Sequence, residues 1–260
     1  MGHNRLGRLP KRDRWVQVVE LLDTQPEETT TLAAAVTRAA YARLGKLAND
    51  SALVHCFWLL TRVTWAARSP NFASELRSLG LDIADRPSAL TFVARVSDSV
   101  RRELIDYPPS GHFSDISSLA LKRALLETVA RQGPSLFDSS VDDFQRAVRA
   151  FSTREHFGEL AHIFFADFLS RTLCSFVDRE LANHVGEGRK LATVRDSLEF
   201  MKALDVHTRQ SARIVRDFAG GWYSKHNWES KGEIDKEETQ RFIAFAIRKL
   251  RSELMSEALA

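Results

Sequence analysis

The sequence is short of the residues and patterns that announce a chemistry. It has two cysteines, Cys56 and Cys174, and each sits inside an apolar helical stretch. They read as buried, reduced core residues, so neither a disulfide nor a cysteine metal site is expected. No glycine-rich phosphate loop, no clustered metal ligands and no known nucleophile motif occurs. These absences argue against an enzyme and against a bound cofactor. Strand-type alternation is almost missing, and there is no internal repeat or low-complexity tract.

Charge of one sign is missing too. The 37 basic residues nearly cancel 34 acidic ones, leaving a formal charge of +3. That excess is too small to argue for nucleic acid by itself, so any such case must rest on local clustering. Long apolar runs are absent. The most apolar segment, "ALVHCFWLLTRVTWAA" (52–67), contains His55 and Arg62 and falls short of the ~20 residues of a membrane span. The opening "MGHNRLGRLPKRDRW" carries charge with no apolar run after it, so a secretory leader is not expected. The expectation is a soluble, cytoplasmic protein with no membrane partner.

What the chain does have is helical periodicity. Hydrophobic residues make up 44% of the sequence and charged ones 27%, as in ordinary globular proteins. The 16 phenylalanines call for a thick core. Trp15, Val18, Val19 and Leu22 fall on one face of a first helix. Leu32, Val36, Ala40 and Leu44 form the ridge of a second, ended by Gly45. Helices are expected over about 50–69, 70–80, 87–105, 114–133 and 140–150. Ser152 and Glu155 have capping-box spacing and should open the longest helix, 153–184. Phe157, Leu160, Phe164, Phe168, Leu169, Leu173, Phe176 and Leu181 nearly ring that helix, which makes it the central one. Helices at about 193–219 and 235–257 complete the chain.

The fold expected is therefore all-α: a compact array of roughly nine or ten helices around a long central helix near 153–184. Residues 1–260 read as a single helical domain. "DYPPSGH" (106–112) is the strongest break, and it could divide the fold into two packed layers, 1–108 and 112–260.

Three groups of residues could carry function. Glu159 and His162 match the Glu-x-x-His spacing of bundle di-metal sites, but no second copy of the motif exists. No metal is expected. Their ordinary role is a helix-surface or interhelical polar pair, and Glu180 and His184 form a helix-end pair farther along. On the 193–219 helix, His207 and Ser211 lie on the apolar stripe of Phe200, Leu204, Ile214 and Phe218. A base beside a hydroxyl suits nucleophilic catalysis, whereas a satisfied core histidine is the plainer reading.

The opposite face of that helix holds Arg195, Lys202, Arg209, Arg213 and Arg216, within ~60° of one another. Such a stripe could track phosphates, helped by an N-terminal arm with Arg5, Arg8, Lys11, Arg12 and Arg14. Glu199 and Asp205 at its margins could instead neutralise it.

The third group is "GGWYSKHN" (220–227). Two glycines after a helix predict a loop that also holds Tyr223, in which Trp222 and Trp228 plug the core behind a polar rim of Lys225 and His226; exposed, the tryptophans would instead offer a stacking or partner-binding platform there. The favoured reading is a non-catalytic interaction protein that binds another protein through a helical surface. A nucleic-acid-binding subunit using the basic stripe and arm is the alternative. An enzyme centred on His207 or His162 is third.

Overall fold

The structure is a computed structural model, and it describes residues 18, 29–82, 89–105, 111–132, 140–184 and 194–257. Among these residues the fold is helical and contains no strand. The helices are α1 (Thr29–Leu44), α2 (Ser51–Ala66), α3 (Phe72–Ser78), α4 (Ala89–Ile105), α5 (Gly111–Gln132), α6 (Val141–Ala150), α7 (Arg154–His184), α8 (Val194–Ser211), α9 (Arg213–Glu229) and α10 (Lys236–Glu257). A 3₁₀ turn, Gly45–Asn49, joins α1 to α2. Val18 is helical and fully buried. The rest of the expected first helix and the basic arm lie outside the described residues, as do residues 106–110 of the expected 106–112 break, while Gly111 and His112 already belong to α5.

Local chemistry explains most boundaries. Asp50 caps α2 by accepting the Leu53 N–H at 2.9 Å. Gly80, at φ +73°, ends α3. There the Gly80 N–H reaches the Arg77 carbonyl and the Leu81 N–H reaches that of Leu76, each at 2.9 Å, in a Schellman closure. The capping box forms at Ser140 and Asp143, at the head of α6. The one expected at Ser152 and Glu155 does not. Thr153 caps α7 instead, accepting the His156 N–H at 3.3 Å, while Ser152 donates back to the Arg149 carbonyl at 2.7 Å.

The long helix α7 is central, packing against α1, α5, α8 and α9. Phe157, Phe164, Phe165 and Phe168 along it are fully buried. Phe57 of α2 touches three of them and stacks on Phe242 of α10, with ring centres 5.0 Å apart. One continuous core thus joins α2, α7 and α10. Residues Arg154–Val177 are long and apolar enough to cross a membrane, but 72% of that stretch is buried inside the fold. Such burial is what a core helix shows.

α7 also carries a buried ion. Asp167 is paired with Arg123 of α5 at 3.1 Å and with Arg171 at 2.5 Å. Beside it Asp205 of α8 is partly desolvated, which alone would raise its pKa. Hydrogen bonds from Arg209 and Ser170 nevertheless hold its carboxyl below the ordinary range. These pairs fix the register of α5, α7 and α8 around the one helix whose apolar ring would otherwise leave it free to rotate.

The C-terminal third departs most from expectation. The helix expected over 193–219 is two helices, divided at Ala212. Near the division Thr208 Oγ1 donates to the Asp205 carbonyl and Ser211 Oγ to that of His207, each at 2.9 Å. Hydroxyls that bond back to carbonyls compete with the helical ladder and bend it. The second helix then runs straight through Gly220 and Gly221. These glycines do not stop it; Gly220 lets it pack. A Cβ on Gly220 would lie 2.0 Å from the Arg154 carbonyl oxygen, and one on Gly158 of α7 would lie 2.6 Å from that of Arg216. Two glycines on facing helices bring α7 and α9 backbone to backbone.

Candidate interaction cleft

The continuation of α9 decides where the sequence candidates lie. Tyr223 is buried and stacks on Phe157 at 3.8 Å between ring centres, and burial pushes its phenol up to about 12. Trp222 is half-buried on a different side of α9. Trp228 was expected to plug a loop, but it is 87% exposed. A helix fixes side-chain direction every 100°, and that angle puts Trp228 on the outer side of α9. Lys225 is exposed and pairs with Glu229 at 3.8 Å.

The other candidates are tied into the fold. Glu159 meets Arg216 at 3.2 Å, and Glu155 lies 4.0 Å from the same guanidinium. His162 Nε2 donates to the Arg209 carbonyl at 3.0 Å, joining α7 to α8. Because a carbonyl only accepts, this bond places the imidazole proton on Nε2. Among the described residues no three His, Cys, Asp or Glu side chains gather at metal-binding spacing. Ser211 is buried with its hydroxyl turned to the His207 carbonyl, along its own helix. The side chains of Glu180 and His184 are outside the described set.

The basic stripe is split by the bend at Ala212 and largely neutralised. Arg195 pairs with Glu199 at 3.1 Å, Arg209 with Asp205 at 2.8 Å, and Arg216 with Glu159. Lys202 and Arg213 are exposed and have no acidic partner among the described residues.

What the structure adds is a cleft between α9 and α10. Phe218, Trp222 and His226 line one wall, and Glu238, Arg241, Phe242 and Phe245 line the other. Its volume is about 370 Å³. Phe242 is its floor, buried at 4% exposure, with Trp222 at 4.3 Å and Phe218 at 5.7 Å between ring centres. Phe245 stands edge-on to Phe218 at 5.0 Å. One end of the cleft is closed by His226 Nδ1 and Glu238, 3.4 Å apart. Beyond the other end, Arg248 and Lys249 sit against the Phe245 ring at 5.4 and 5.8 Å.

The cleft keeps its shape because the turn between its walls is pinned to α2. Lys231 and Gly232 take positive φ, and the Gly232 N–H bonds the Asn227 carbonyl at 3.1 Å. Trp58 Nε1 donates to the Ile234 carbonyl at 3.0 Å, and Arg62 donates to that of Gly232 at 2.9 Å. A Cβ on Gly232 would fall 1.7 Å from Trp65 Nε1, so no other residue fits there without moving α2 or the turn. Asp235 then caps α10 by accepting the Glu238 N–H at 2.7 Å. Lys236 meets Glu103 of α4 and lies 5.2 Å from the Trp58 ring.

Sequence reasoning found Trp222 and His226 but missed Phe218, Phe242 and Phe245 as lining. The signal was present: Phe218, Trp222 and His226 recur every four residues, provided the helix is carried across Gly220 and Gly221. No family model, no curated protein and no solved structure matches this chain.

Proposed function

We propose that this protein is a non-catalytic interaction subunit that holds a segment of another protein in the α9–α10 cleft. One observation carries the reading. Three large aromatic side chains, Phe218, Trp222 and Phe245, stand only half-buried around a formed apolar cleft, on walls fixed by hydrogen bonds to α2. A formed apolar cleft with large aromatic side chains left partly open is the kind of concave surface on which a partner's side chains can seat. The catalytic reading finds less support, since His162, Glu159 and Ser211 are each engaged in the fold. A nucleic-acid reading would rest on Lys202, Arg213 and the N-terminal arm.

The test is selection of peptides from a random displayed library on the immobilised full chain, with Phe245→Glu as the counter-target. The reading expects clones that bind the parent and are lost on the variant. Clones indifferent to Phe245→Glu, with both proteins equally helical by circular dichroism, would remove it.

A further inference from the structure

We infer that the segment accepted by the cleft is an amphipathic helix whose acidic end lies over Arg248 and Lys249; this rests on the interaction reading above. Shape gives the first part. Both walls are helices, and the described residues offer no strand edge for an extended peptide to join. Glu238 to Phe245 is seven residues of α10, or ~10 Å at 1.5 Å each. That length matches about two turns of a guest helix with apolar anchors at i, i+3 or i+4, and i+7, the usual pattern of a helix laid in a groove.

Charge gives the second part. Along the cleft the polar groups are engaged within the fold: Glu238 lies 3.4 Å from His226 Nδ1, and Arg241 pairs with Glu237 at 3.0 Å. Arg248 and Lys249 differ. They continue the line of α10 residues that forms the wall, since Phe245 lies four residues after Arg241, and Arg248 and Lys249 lie three and four after Phe245 on a shared face. Both are exposed, both lie against Phe245, and neither has a carboxylate partner among the described residues. A guest that fills the apolar part therefore brings its next turn over two cations that no carboxylate among the described residues pairs. Carboxylates there gain attraction, and lysines there meet like charge.

The experiment uses the peptides selected on the parent chain. Their sequences should combine apolar residues at helical spacing with Asp or Glu clustered at one end. Their affinity for Arg248→Glu/Lys249→Glu should fall by about tenfold or more, and raising salt should weaken parent binding. Reversing the peptide's acids to lysine should restore binding to the doubly reversed protein. Both substituted side chains are exposed, so the variant keeps the fold, and circular dichroism checks this. If the peptides depend on Phe245 but bind the double variant as well as the parent, the charge assignment is wrong while the cleft reading stands. If the selected peptides bind as isolated extended motifs, with proline substituted inside them at no loss, the helical assignment is wrong. If nothing selected depends on Phe245, both readings fall together.

Discussion

Helix α9 has two neighbours and treats them in opposite ways. Toward α7 it presents Gly220 to backbone, buries Tyr223 and leaves no room for a methyl group. Toward α10 it presents Phe218 and Trp222 to Phe242 and Phe245, and a cleft of about 370 Å³ remains. Small residues on facing helices let the axes approach until backbones touch. Large aromatic residues on both sides hold the axes apart and fill the gap only in part. The closed side leaves no space between the helices, and the other side leaves an open apolar cleft. One helix of 17 residues, Arg213–Glu229, carries both.

This contrast can be broken from the closed side with the largest effect. Gly220→Val places carbon inside the Arg154 carbonyl. It should cost about 5 kcal/mol or more, enough to unfold a domain of ordinary stability. Failure to recover soluble helical protein, or a collapsed denaturation midpoint, is the expected readout. Next comes the pair Phe157→Ala and Phe245→Ala. Phe157 is fully buried against Tyr223 and should cost ~3–5 kcal/mol in urea unfolding. Phe245 is half-buried at the cleft and should cost only ~1 kcal/mol, while selected peptides are lost. Equal stability costs would show that the cleft side is core like the other.

Acid should destabilise the fold through a residue packed beside the Trp58 anchor of the cleft. His55 is buried against Trp58, the residue that holds Ile234, at 5.6 Å between ring centres. Burial first, and then the charge of Lys236, push its imidazole down to about 4, against the opposing pull of Glu103 3.9 Å away. Its folded pKa lies below the unfolded value of ~6.5, so the unfolded chain takes the proton first. Stability from neutral His55 is complete above about pH 6.5 and falls as pH drops toward 4, by ~2 kcal/mol at pH 5. The Glu103 carboxyl, held below its ordinary range chiefly by a hydrogen bond from Lys236, adds a loss at lower pH. Urea titrations at pH 7 and 5 check this, and His55→Leu should flatten the difference. The smallest effect is Gly221→Ala. Its Cβ would meet only the Arg154 guanidinium at 3.9 Å, so the change should stabilise by ~0.5–1 kcal/mol through helix propensity. Opposite signs at adjacent glycines would sharpen the contrast within one helix turn.

Much of the fold was legible in the chain. The apolar ring of α7 and the Gly80 stop each rest on local pattern, and local pattern suffices where one helix decides its own state. The bend at Ala212 and the passage through Gly220 and Gly221 did not follow from local pattern. Glycine reads as a stop when only propensity is weighed, and its value at close packing shows only when the facing backbone of Arg154 is known. Neutralisation of the basic stripe was half legible. Glu199 and Asp205 are four residues from their arginines on the same helix, but Glu159 reaches Arg216 from α7. The cleft needed both walls. Trp222 and His226 stood out as a local knot, while nothing in the α10 sequence alone sets Phe242 and Phe245 apart until α10 is placed beside α9.

The most direct test of the account is where a selected peptide touches the protein. A benzophenone carried at the peptide's central apolar anchor can be crosslinked to the full chain and the adducts mapped by mass spectrometry. The account predicts adducts on Phe218, Trp222 or Phe245, with unlabelled peptide suppressing them. Adducts on Lys202, Arg213 or Trp228, with the cleft untouched, would contradict it.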